Sequence, residues 1–75
     1  MPRYFFEVKT ETTLYDDKKG EECLDDQAAL QSGQRLAHDL AEDAPDFHGS
    51  TLTVRNDEGE VVGEFTIRPP TKQLQ

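Results

Sequence analysis

The stretch STLTVRNDEGEVVGEFTIR, residues 50–68, constrains this chain more than any other segment. Leu52 and Val54 alternate with Thr51, Thr53 and Arg55. Val61, Gly63, Phe65 and Ile67 alternate with Val62, Glu64, Thr66 and Arg68. A period of two places successive side chains on opposite faces of a strand. The intervening NDEGE supplies turn formers, and Gly59 can take the positive φ of a bulged hairpin loop. The expectation is a β-hairpin with one apolar face, Leu52, Val54, Val61, Phe65 and Ile67. Pro69 and Pro70 stop its second strand. An isolated hairpin is not stable in water, so the rest of the chain must cover that face.

Two earlier segments can do so. In PRYFFEVKT, Tyr4, Phe6 and Val8 point one way and Arg3, Phe5, Glu7 and Lys9 the other, which predicts a strand with one buried face. Phe5 is the anomaly, an aromatic on the polar side. In LDDQAALQSGQRLAHDLAEDAPDFHG, the residues Ala29, Leu30, Gly33, Leu36, Ala37, Leu40 and Ala44 recur at helical spacing. Asp25 or Asp26 can cap the N-terminus, with Leu24 as a hydrophobic staple, and Pro45 ends the helix. Gly33 interrupts the apolar stripe at about 1 kcal/mol relative to alanine. A close approach to a bulky residue such as Phe6 or Phe65 would compensate. Residues 10–20 are expected to form a polar loop, and EECL a short edge strand.

The predicted fold is α+β: a three- to four-stranded, mainly antiparallel sheet with one amphipathic helix on one face, in the order β-(β)-α-β-β. Residues 1–68 form a single domain and 69–75 a frayed tail. The expected core is Tyr4, Phe6, Val8, Leu30, Leu36, Ala37, Leu40, Leu52, Val54, Val61, Phe65 and Ile67.

Composition closes off several functions. Sixteen acids against eight bases give a formal charge of −8, which repels nucleic-acid phosphates and anionic lipid. The bases are scattered, with only Lys18 and Lys19 adjacent. No stretch approaches the ~20 apolar residues of a membrane span. One cysteine, Cys23, excludes an internal disulfide and favours a reducing compartment, so the expected location is the cytoplasm.

Candidate chemistry is thin. Cys23 precedes a helix start, but Glu21, Glu22, Asp25 and Asp26 surround it and raise a thiol pKa, so it reads as structural. His38 and Glu42 lie four apart, and His48 follows, yet no His-Glu-x-x-His run is present. DDKKGEE lacks the spacing of a calcium loop. The five glycines are too scattered for a phosphate loop. No enzyme activity, metal or cofactor is expected.

The opening PRYFFEV, the acidic loop before CLDDQAAL, the alanine-rich helix and the closing LTVRNDEGEVV together resemble a domain-of-unknown-function family of very small alphaproteobacterial proteins. Its members open on a Met-Pro-Arg-Tyr-Phe-Phe strand and end on two strands joined by an Asp-x-x-Gly turn, here shifted to Asn56-Asp57-Glu58-Gly59. The resemblance covers residues 2–67. It departs at Glu7, where members often carry histidine, and near Gly33, where alanine is usual. It implies no activity, cofactor or catalytic residue.

The function expected is that of a small acidic protein–protein interaction module using the open sheet face or an edge strand. Phe5, Thr53, Val62 and Thr66 are its candidate contact residues, and the partner is another protein or a second copy. The alternatives are an acidic nucleic-acid mimic that occupies a basic protein and, last, a small enzyme or metal-binding protein.

Overall fold

The computed structural model describes residues 1–69. The elements are β1 (Arg3–Lys9), β2 (Leu14–Asp16), β3 (Glu21–Glu22), α1 (Asp26–Asp43), a 3-10 turn (Pro45–Phe47), β4 (Thr51–Arg55) and β5 (Val61–Thr66). The sheet order is β2-β1-β4-β5, every pairing is antiparallel, and β3 pairs with β1. One helix on an antiparallel sheet is the expected α+β arrangement, with one short strand more than the alternation revealed. Of the expected tail 69–75, only Pro69 lies within the described residues.

The core is built as the two periods dictate. Tyr4, Phe6 and Val8 of β1, Leu52 and Val54 of β4, and Ile67 are buried against Ala29, Ala37 and Ala41 of α1, with Leu30, Leu36, Leu40 and Phe65 half-buried around them. The helix presents its small residues to the sheet. Gly33 is the point of closest approach: a Cβ there would stand 2.8 Å from Val54 Cγ2, 3.1 Å from the Phe65 ring and 3.4 Å from the Phe6 ring. Leu30 in turn lies over the bare Cα of Gly63, where its Cδ2 leaves no room for a Cβ.

Both helix ends are satisfied. Asp25 Oδ1 accepts from the Ala28 N–H at 2.8 Å. At the other end the Ala44 N–H reaches the Leu40 carbonyl at 2.8 Å, and His48 Nε2 lies 2.6 Å from the Ala41 carbonyl. The ring thus covers one of the carbonyls that α1 leaves unpaired. The Tyr4 hydroxyl donates to Asp26 Oδ1 at 2.6 Å and ties β1 to the first turn of α1.

Two expectations are corrected. Leu24 is 71% exposed, so it does not staple the helix start. The second is Val61, placed in the core by simple alternation. The β4–β5 register shifts between Val54, which pairs with Gly63, and Arg55, which pairs with Val61. The extra residue is Val62. This bulge turns Val61 to the open face, 50% exposed, and sends Val62 to pack against the core.

Candidate functional site

The contact residues expected from the sequence do not form one surface. Phe5 projects to the open face, opposite Arg55 across the ladder, but it is half-buried. β2 and β3 follow one another along β1, and the residues between them, 17–20, bow out over the ring. The Asp17 N–H donates to the Phe6 carbonyl at 3.1 Å. Arg3 Nη1 donates to the Lys19 carbonyl at 2.8 Å. Gly20, at φ 74°, comes so close that a Cβ would stand 2.8 Å from the Phe5 ring, Arg3 Cγ and the Tyr4 carbonyl. The chain's own loop therefore covers part of the Phe5 ring, which still lines an open pocket of about 490 Å³ with Asp17, Lys18 and Arg55.

Thr53 is on the open face but only 8% exposed, flanked across the ladder by Glu7 and Glu64. Glu7 pairs diagonally with Arg55, whose Nη1 also donates to the Gly59 carbonyl at 2.9 Å. These side chains close over the smaller threonine. Val62 has left the face through the bulge. Of the four residues, only Thr66 is exposed.

Thr66 stands on the feature that does present itself, the outer edge of β5. The Ile67 N–H donates to the Ser50 carbonyl, and the Ile67 carbonyl accepts from the Gly49 N–H, both at 2.8 Å. Alternation from that pair directs the backbone groups of Phe65 and Gly63 towards β4. Those of Glu64 and Thr66 point outward. Among the described residues nothing pairs with this edge. The opposite edge is blunted: β2 has three residues and β3 two, with the loop over Phe5 between them. β5 runs for six residues, of which residues 63–66, beyond the bulge at Val62, form the regular edge.

An open groove of about 470 Å³ adjoins this edge. It lies between β5 and α1, bounded by Glu64, Phe65, Thr66 and Arg68 on one side and by Gln34, Ala37, His38 and Ala41 on the other. The helical stripe that contains Ala37 was legible in the sequence, without Ala41. Its position beside a free edge was not, because strand order is a tertiary property.

The titratable candidates are otherwise engaged. Burial, followed by the nearby Glu21 carboxylate, raises the Cys23 thiol pKa, which leaves it protonated and poorly nucleophilic. His38 pairs with Glu42 at 3.4 Å on the exposed helix face, and His48 is held on the helix terminus. Among the described residues no three His, Cys, Asp or Glu side chains converge as metal ligands. No helix among them is long and apolar enough to cross a membrane.

No curated protein and no solved structure matches the chain. Residues 3–68 match the family model described as Domain of unknown function (DUF6894), and the chain therefore belongs to that family of small domains.

Proposed function

We propose that this chain is a small acidic protein-interaction module that docks an extended, basic segment of a partner protein on the free edge of β5. The observation that carries the reading is the outward-facing backbone of Glu64 and Thr66 on a six-residue strand with no neighbour on that side among the described residues. An unpaired edge is a template for another strand, and main-chain hydrogen bonds supply the affinity in such complexes. The formal charge of −8 selects the partner. A second copy brings the same charge, whereas a basic segment is attracted and steered. The proposed role is binding rather than catalysis, in the reducing cytoplasm that a single buried thiol suits.

The test is amide exchange followed by NMR with the capped hexapeptide Ac-Thr-Lys-Thr-Lys-Thr-Lys-NH2. The peptide should slow exchange of the Glu64 and Thr66 amides and leave the Phe65 amide, already bonded to β4, unchanged. Glu64→Pro removes one outward N–H without removing a ladder bond, and should abolish the protection while the fold persists. Equal binding by Glu64→Pro, or protection confined to other surfaces, would overturn the proposal. Tight, salt-sensitive capture of a basic nucleic-acid enzyme without protection on β5 would favour the mimic instead.

A further inference from the structure

Resting on the strand-docking reading, we propose that the groove beside β5 reads the partner's side chains, taking an apolar residue on the helix side and a cationic residue beside Glu64 on the open side. Ala37 and Ala41 line α1 where it faces the end of β5, and both are buried. Neither extends beyond Cβ, so neither fills the space between the helix and the sheet edge, and the groove remains there. Phe65, half-buried, forms its wall on the strand side. The groove thus combines the Phe65 ring and the two buried alanines with the polar Gln34 and His38, beside the outward backbone groups of Glu64 and Thr66.

A strand added to β5 sends alternate side chains to opposite faces of the sheet. One set falls into the groove against Phe65, Ala37 and Ala41, where a leucine or a ring is drawn out of water. The other set lies on the open face next to Glu64. Among the described residues Glu64 makes no ion pair, so its carboxylate is available to a lysine or arginine on the added strand. Arg68 bounds the groove as well, so the cation that the site selects is the one opposite Glu64. The code for the occupant is an extended segment with an apolar residue and a cation at adjacent positions.

Titration with defined peptides separates this inference from the reading beneath it. The probes are Ac-Thr-Lys-Leu-Lys-Thr-Lys-NH2 and its Leu→Ser and Lys→Glu counterparts, followed by amide shifts and by the exchange of Glu64 and Thr66. The leucine peptide should bind about tenfold more tightly than the serine peptide and shift the Phe65 ring protons. Glu64→Lys should weaken the preference for the lysine peptide over the glutamate peptide, and more so than Asp39→Lys, which makes the same change in net charge on the exposed helix face. If all peptides protect the Glu64 and Thr66 amides but leucine and serine bind equally, the groove does not select and this inference fails while strand docking stands. If none protects those amides, both fail.

Discussion

Gly33→Ala sets two effects of known sign against each other. Helix propensity favours alanine by about 1 kcal/mol in a helix interior. Crowding opposes it, because the new methyl would stand 2.8 Å from Val54 Cγ2, and Val54 is fully buried with no room to retreat. The Phe65 ring, at 3.1 Å, is half-buried beside an open groove and can swing aside. Overpacking of a tight core costs about 1–3 kcal/mol, so the balance is a net destabilisation of about 1 kcal/mol. For a domain of this size, that lowers Tm by roughly 4–8 °C. Urea unfolding should show a lower midpoint with an unchanged slope. The same change made in a Val54→Ala background should reverse sign and stabilise, since the opposing methyl is gone. A coupling of about 1 kcal/mol or more in that double-mutant cycle is expected between groups in contact. If Gly33→Ala stabilises the parent protein by its full propensity increment, the helix does not touch the sheet there and the packing described is wrong.

Phe5→Ser and Phe6→Ser should differ sharply in circular dichroism and thermal melts. Phe6 belongs to the core, and its loss costs about 3–5 kcal/mol, enough to unfold much of a marginal domain. Phe5 is half-buried under the loop at Gly20, and its loss costs about 1–2 kcal/mol without changing oligomeric state. Equal damage from the two would reverse the face assignment. The Asp26 carboxylate, hydrogen-bonded to the Tyr4 hydroxyl, pushes its pKa up to about 12, with burial adding to the effect. The protonated hydroxyl therefore contributes stability in full below pH 10, and that contribution is lost as pH rises from about 10 to about 12. Tyr4→Phe should flatten that alkaline decline in denaturation curves; an identical slope in both proteins would remove the tie. The Cys23 thiol, buried and raised in pKa, should react with iodoacetamide at pH 8 far more slowly than free cysteine and only as the domain opens. Rapid labelling of the folded protein would contradict its burial.

Much of the architecture follows from local rules that the chain obeys. Alternation in residues 3–9 and 51–55 selects the buried faces correctly because neither strand is interrupted. Asp25 and Pro45 mark the helix ends because capping and the missing proline N–H act within one turn. Gly33, an apparent defect in the stripe, is explained by the contact it permits with Val54, Phe65 and Phe6. Where the reading failed, the cause was not local. Gly59 signals the bulged loop, but the separate bulge at Val62 has no residue signature of its own, so Val61 and Val62 exchange faces relative to simple alternation. β2 is three exposed residues whose only reason to be extended is pairing with Glu7–Lys9. Alternation alone leaves Phe5 on an open face, because nothing in the sequence announces that residues 17–20 fold back towards it. Ala41, which the expected stripe lacks, lies four residues after Ala37 and is buried with it. The groove depends on which strand lies at the edge, and that is settled only by the assembled sheet.

Strand addition to β5 is tested most directly by intermolecular NOEs in an isotope-filtered experiment on labelled protein with unlabelled Ac-Thr-Lys-Leu-Lys-Thr-Lys-NH2. Close backbone contacts are expected between the peptide and Glu64–Thr66, with leucine methyl contacts to the Phe65 ring and to Ala37 or Ala41. Peptide contacts confined to acidic surfaces away from β5, or none at saturating peptide, would contradict it.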